Sequence, residues 1–346
     1  MSVALAVVGL GGWGPNLVRN AAETKGARLA ALCDTDDARL AAVGGRYPGV
    51  ALKASLGEVL ADSSIDAVIL ATPAGLHADQ ARQVLESGRH VLVEKPLALT
   101  TREGCQLAAL AGRLGRVLLT GHTFLYNESV RACRRLIEGG ELGKVWFANA
   151  ERMSLGKVRD DVNALWNLSP HDVSILLHLF GEMPRRVWAR GGRFLPGSTQ
   201  EDVVVATLEF PSGALANITA SWLNPLKVRR MTLVGERRMV VYDDTSADRP
   251  VVLYDMGVDS EAPEPAGDFQ AFRRTLRRGE ERVIAVEPKE PLAEEIAHFV
   301  RCIAEGEAPV SGPREAIAVV YVLEACQQSL RTDGAPVNLS HNFDFV

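Results

Sequence analysis

Short runs that are apolar at every position alternate with helical patterns over roughly the first third of the chain. Val3–Val8, Arg28–Cys33, Ala67–Ala71, His90–Val93 and Val117–Thr120 read as strands. Helical stretches at Leu17–Lys25, Ala38–Arg46, Ser55–Ala61, Ala78–Ser87 and Thr100–Leu114 separate or follow them. A strand with no polar face is covered by helices on both sides, so this repetition predicts a parallel, doubly wound sheet. The pattern changes after about Thr120. Asn127–Glu138 reads as a helix ending at Gly139 and Gly140, and from Val145 the strands become longer and half polar. Val203–Phe210 and Ala214–Ser221 flank a Pro-Ser-Gly turn, and Arg229–Val234 and Arg238–Tyr242 flank Gly235 and Glu236. That pattern predicts antiparallel strands with one solvated face. Val173–Phe180, Ala293–Ala304 and Glu315–Gln327 read as helices, and 244–249 and 260–269 as polar or Pro-rich loops. The expectation is an α/β chain of two domains, 1–122 and 123–346, with the late helices able to pack back on the first.

Composition narrows the function classes. The chain has 346 residues, 47% hydrophobic and 23% charged, which is long enough to bury two cores without disulfide staples. A formal net charge of -5 gives no general attraction to polyanions, so neither nucleic acid nor an anionic membrane is expected as a partner. No run approaches the roughly 20 apolar residues of a spanning helix. The apolar N-terminus lacks a basic leader and runs into a glycine loop, which reads as a buried strand in a soluble, cytoplasmic protein. The five cysteines are scattered with no C-x-x-C, and the seven histidines have no paired spacing, so reduced thiols and no bound metal are expected.

Candidate chemistry begins where the first strand ends. Val3–Val8 runs into Gly9-Leu10-Gly11-Gly12-Trp13-Gly14 and then a helix. Gly9 permits the tight turn, Gly11 lets the backbone approach a pyrophosphate, and Gly14 lets helix and strand pack closely. The helix start offers free N–H groups to the phosphates, and Pro15 sits where a missing donor costs little. Asp34 closes the second strand, where a carboxylate accepts bonds from both ribose hydroxyls and disfavours a 2′-phosphate. These residues predict a Rossmann domain that binds NAD in preference to NADP; Arg39 is the one nearby residue that speaks for NADP. Val91-Leu92-Val93 leads into Glu94-Lys95-Pro96 at a strand's carboxyl end, the edge at which such sheets bind ligands, although a solvated surface Lys is the commoner fate of that residue type.

With these motifs in view, the chain resembles the Gfo/Idh/MocA oxidoreductases over nearly its whole length. The resemblance rests on Gly9–Gly14 with Asp34, on Ala71-Thr72-Pro73 followed by His77, and on Glu94-Lys95-Pro96. It continues in 121–126, 141–143 and 167–172. It implies a C-terminal α+β domain with a large, mostly antiparallel sheet that mediates homodimers or homotetramers. It also implies a Lys95 close to the nicotinamide and the reacting hydroxyl, often with a cis Lys95–Pro96 bond. The cofactor contacts it implies are Gly9, Gly11, Gly12, Trp13, Gly14, Asp34, Thr72, Pro73, His77, Glu94, Lys95 and Pro96.

The family commonly places an acid and a His four residues apart on a helix over the nicotinamide. His171 matches the His, but Asn167 stands at the acid position, and an amide orients by hydrogen bonds without acting as a base. Proton work then falls to His171 and Lys95, with Asn167 orienting. His171 taken alone also fits a helix-start histidine bonded to backbone. Asp172 reads as a structural helix-start acid, and His178 as packing. His122 and Tyr126 follow the strand 117–120; Tyr126 fits either a substrate hydrogen bond or a core aromatic. The stretch 152–159, with Asn163 and the run Trp13–Asn20, resembles a subset acting on nucleotide sugars. Arg152 and Arg159 then bind a substrate carboxylate or diphosphate, or are plain surface arginines.

The function expected is NAD-dependent hydride transfer at a secondary hydroxyl of a small sugar-like substrate, with a nucleotide sugar leading. Substrate contacts are then Lys95, Tyr126, Arg152, Arg159, Asn163, Asn167 and His171. The alternatives are a cyclitol or free-monosaccharide dehydrogenase and a non-catalytic NAD-sensing regulator.

Overall fold

Every residue of β1 (Val3–Val8) is buried, as an unbroken apolar run requires. A computed structural model describes residues 2–156, 158–259 and 275–340. β1 is central in a six-stranded sheet with β2 (Ala27–Cys33), β3 (Ala51–Lys53), β4 (Ala67–Leu70), β5 (His90–Val93) and β6 (Leu118–Thr120). Their order is β3-β2-β1-β4-β5-β6 and every pairing is parallel. This is the doubly wound order, with its reversal between β1 and β4. The crossovers are α1 (Gly14–Glu23), α2 (Asp37–Gly44), α3 (Leu56–Ala61), α4 (Ala74–Glu86) and α5 (Thr101–Leu114). The three-residue edge strand β3 has no expectation behind it, since its partly exposed Ala-Leu-Lys carries no readable period. α4 begins four residues before the expected Ala78, directly after its N-cap Pro73.

Register sets the functional edge. Val8 pairs with Cys33 on one side and Leu70 on the other; Leu70 pairs with Val93, and Val93 with Thr120. The residues that follow these five, Gly9, Asp34, Ala71, Glu94 and Gly121, therefore leave the sheet side by side.

The second unit comprises residues within 128–288 and 326–339. Its strands are β7 (Val145–Met153), β8 (Arg186–Gly192), β9 (Val203–Glu209), β10 (Leu215–Ser221), β11 (Val228–Gly235), β12 (Met239–Asp243), β13 (Val251–Asp259), β14 (Thr275–Val283) and β15 (Val337–Asn338). They form one sheet ordered β14-β13-β12-β11-β7-β10-β9-β8-β15, antiparallel except for the β7–β10 pair. Alternation is plain in β9 and β10, whose inward Val204, Ala206, Leu208, Ala216, Ile218 and Ala220 are buried. Helices α6 (Glu128–Glu138) and α7 (Ala164–Phe180) pack against this sheet.

α7 differs from expectation. Its helical pattern reads from Val173, yet the helix starts at an Asn163 N-cap and runs through Pro170. His171 and Asp172 are consequently mid-helix, and Asn167 and His171 lie one turn apart. The side chain of Asn163 accepts from Trp166 N at 3.1 Å and donates to Glu201 Oε2 at 2.8 Å and Gln327 Oε1 at 2.9 Å. Asn163→Ala is expected to destabilise the protein by about 1–2 kcal/mol, read by chemical denaturation.

The remaining helices are α8 (Pro291–Ala304) and α9 (Pro313–Arg331). Leu292, Ile296, Phe299 and Val300 of α8 share one buried cluster with Val3, Leu5, Val7, Leu17 and Val18. The first unit takes in residues 289–325 as well as the chain up to Asn127. Among the described residues no helix is long and apolar enough to cross a membrane. All five cysteines are free thiols. The expected loop at 260–269 and the side chain of Lys157 lie outside the described residues.

Candidate functional site

The glycine loop has the geometry its spacing predicts. Gly9 has φ +94, a left-handed value that favours glycine, and a Cβ there would stand 2.6 Å from the carbonyl oxygen of Ala71. A Cβ on Gly14 would run into the Gly9 carbonyl, whereas one on Gly11 would meet nothing within 4 Å. Two glycines are thus needed for packing, and the third leaves bare backbone on an open side. α1 starts with no side-chain cap and no acidic residue in its first turn, so no carboxylate there opposes an anion; Pro15 carries no N–H and the Asn16 N–H donates to the Trp13 carbonyl at 3.0 Å.

Asp34, buried at the end of β2, accepts from Leu10 N at 2.6 Å and from Asp36 N at 2.9 Å. Those bonds aim the carboxylate across the loop and leave lone pairs for hydroxyl donors. Arg39 is paired with Asp36 at 3.2 Å. The residues fit a dinucleotide with free ribose hydroxyls.

The neighbouring strand ends supply a second buried polar layer. His77 lies 1% exposed, with Nδ1 2.7 Å from the Pro96 carbonyl and Nε2 2.8 Å from that of Thr72. It links the loops after β4 and β5. Both partners are acceptors, so a neutral ring donates to only one of them at a time. The Lys95–Pro96 bond is cis, as the resemblance implies. Glu94 is buried and accepts from the indole Nε1 of Trp13 at 2.7 Å and from Lys95 N at 3.2 Å. Burial pushes its carboxyl up, against the charge of Lys95 and these hydrogen bonds.

Two further buried groups stand behind this edge, of which Glu295 has no sequence signal. Glu295, on α8, is fully buried and accepts from Thr123 Oγ1 at 2.9 Å; burial, then the charge of Glu94, raises it well above the usual carboxylate range. His122 is buried, and desolvation, with the charge of Lys95, pulls it down to about 3. It is a neutral ring at physiological pH. Tyr126 is 1% exposed, with its hydroxyl 2.8 Å from His298 Nδ1 and 3.2 Å from Ser311 Oγ.

In the second unit, α7 presents Asn167 and His171 half-buried. Beneath it, Arg152 of β7 forks onto Asp172: Nε is 2.9 Å from Oδ2 and Nη2 2.9 Å from Oδ1, with side chains 6% and 4% exposed. Burial alone would lower the guanidinium, but the charge and hydrogen bonds of Asp172 outweigh it and the net direction is upward. Arg159 pairs with Asp161 near the surface, with Nη2 2.6 Å from Oδ2. Among the described residues no group of three or more His, Cys, Asp or Glu is placed to hold a metal ion.

Residues 3–122 match the family profile described as the oxidoreductase family with NAD-binding Rossmann fold, and residues 130–241 match the GFO/IDH/MocA C-terminal domain. The chain belongs to the Gfo/Idh/MocA oxidoreductase family. Its first unit is an NAD-binding Rossmann domain, and its second has the mostly antiparallel sheet of the family.

Among curated relatives, 2,7-anhydro-N-acetylneuraminate hydratase of Escherichia coli K12 is 28% identical over 61% of this chain and 60% of its own length. The chain thus spans less than two thirds of that relative's length. The NAD-dependent scyllo-inositol 2-dehydrogenase of Bacillus subtilis 168 is 25% identical over 82% of this chain and 80% of its own. The solved structure of GenD2 from gentamicin A biosynthesis, in complex with NAD, superposes with a TM-score of 0.82 at 27% identity, covering 98% of this chain and 97% of that one.

Proposed function

We propose that this Gfo/Idh/MocA protein oxidises or reduces a secondary hydroxyl of a sugar, with a nucleotide sugar as its substrate class. The observation that carries the reading is the register of the five strand ends. It sets the glycine loop, Asp34 and the Glu94-Lys95-cis-Pro96 turn along one sheet edge. Bound NAD supplies the hydride acceptor or donor. Gly9, Gly11, Gly12, Trp13 and Gly14 cradle its phosphates, Asp34 takes its ribose hydroxyls, and Thr72, Pro73, His77 and Pro96 shape the wall beside it.

Lys95 polarises the substrate oxygen and stabilises negative charge as it develops there. His171 takes the hydroxyl proton, and a ring whose ordinary range lies near neutral pH suits that role. Asn167, one turn before it, orients the substrate through its amide. Arg159 meets the anionic group of the substrate by exchanging its exposed partner Asp161. For Arg152, Asn163 and Tyr126 we assign supporting positions in place of substrate contact. The guanidinium is committed to Asp172, the amide to the α7 cap, and the phenol to His298 and Ser311.

A panel assay tests this reading: NADH formation with UDP-sugars, inositols and free monosaccharides under one set of conditions. We expect kcat/KM for a UDP-sugar to exceed that for any cyclitol or free sugar by about tenfold or more. The reverse order would transfer the reading to a cyclitol or monosaccharide dehydrogenase, the activity named for the Bacillus subtilis relative. NAD binding without turnover across the panel would favour a sensing role instead.

A further inference from the structure

We propose that Glu94 is a positioning residue that latches the dinucleotide loop to the Lys95 turn, with Trp13 as its counterpart on the loop. Trp13 lies between Gly12 and Gly14, in the stretch whose backbone faces the pyrophosphate, and its ring is 47% exposed. An exposed aromatic on a surface turn has several orientations of similar energy. Here one is selected, because the indole N–H donates to Glu94 Oε1 at 2.7 Å. The other oxygen of the same carboxyl accepts the backbone N–H of Lys95 at 3.2 Å. One buried group therefore holds both loops, 81 residues apart in sequence.

The seat is made for that group. A Cβ on Gly121 would stand 3.0 Å from Glu94 Oε2, so the chain leaving β6 gives way to the carboxyl. The glycine loop cannot shift relative to the Lys95 turn without taking a donor from the buried Glu94 carboxyl, where an orphaned acceptor is costly. Filling of the glycine loop and the direction of the Lys95 side chain are linked by this bridge. Glutamine in place of Glu94 has one acceptor where two donors converge, so it can satisfy only one arm.

The inference uses the reading of Lys95 given above only for its consequence in turnover, and its tests need no substrate. In the first, NADH dissociation constants are measured for the wild type, Trp13→Phe, Glu94→Gln and the double variant. Each single change is expected to weaken NADH by about fivefold to tenfold, and the double variant to be no weaker than the worse single one, as one shared bond requires. Multiplying effects, or wild-type binding by Trp13→Phe, would overturn the latch.

In the second, acetylation of Lys95 by acetic anhydride is followed peptide by peptide, with Lys25 as internal reference. Trp13→Phe is expected to change the Lys95 rate about threefold or more relative to Lys25, and an unchanged ratio would show that the loop does not position the turn. Should Glu94→Gln fail to fold, Trp13→Phe alone decides both tests, because its ring is half exposed and its loss leaves the core intact. A failed sugar panel with a coupled NADH cycle would sink the substrate reading and leave the latch standing.

Discussion

Asp172→Ala is expected to destabilise the protein by about 3–5 kcal/mol, seen as a fall in denaturant midpoint with little change in slope. The reason is the partner it abandons. Arg152 keeps its charge under any conditions in which the protein is folded, and its side chain is 6% exposed beneath α7. With Asp172 removed, that charge loses its two-point fork and stays out of water. The pair itself adds much less than this loss suggests, because desolvating both ions offsets most of their attraction. Replacing both, as Arg152→Met with Asp172→Leu, is therefore expected to recover most of the stability. A double variant as unstable as Asp172→Ala would contradict the account. The same protein separates support from substrate contact. If Arg152 only holds Asp172 under α7, the refolded double variant keeps its KM for substrate within about threefold, whereas loss of a charged contact to a diphosphate would raise KM far more.

How much of this was legible in the sequence follows from range. β1, the glycine loop, α1 and Asp34 are local: a strand's apolar run, a turn's glycines and a fixed interval lie within one β-α-β unit, so pattern and geometry coincide. The turn at Lys95 was legible as a motif, and the register shows why it stands where it does. α7 was half legible. The helical pattern reads from Val173, whereas the Asn163 cap and the buried Leu165, Trp166, Val173 and Ile175 carry the helix through Pro170, which has no backbone donor. The bonds that organise the site were not legible at all. Trp13 meets Glu94, Thr123 meets Glu295 and Arg152 meets Asp172 only after strands and helices have packed, and no spacing signals such a pair. For the same reason Arg152 and Tyr126 read equally as ligand contacts or as structural groups: a sequence shows a hydrogen-bonding group without showing which partner folding has given it.

Lys95→Met is expected to lower kcat by about a thousandfold on whichever alcohol the panel identifies, while NADH binds within about threefold of wild type. Methionine keeps the length and apolar stem of the side chain and removes its charge and its proton, so the turn it sits on, fixed by the Lys95–Pro96 backbone and by His77 and Glu94, is expected to stay in place. Lys95→Arg then divides the two roles assigned to the ammonium group. A guanidinium stabilises negative charge on the substrate oxygen but does not give up a proton at any working pH. If Lys95 acts through its charge and His171 moves the proton, Lys95→Arg recovers a substantial part of the lost rate and His171→Ala does not. If the proton passes through Lys95, Lys95→Arg is as inactive as Lys95→Met. Asn167 gives this comparison its weight. With an amide where the resemblance places an acid, and with Asp172 held by Arg152, His171 is assigned the proton it shares with Lys95, so the arginine variant reads the division of labour directly.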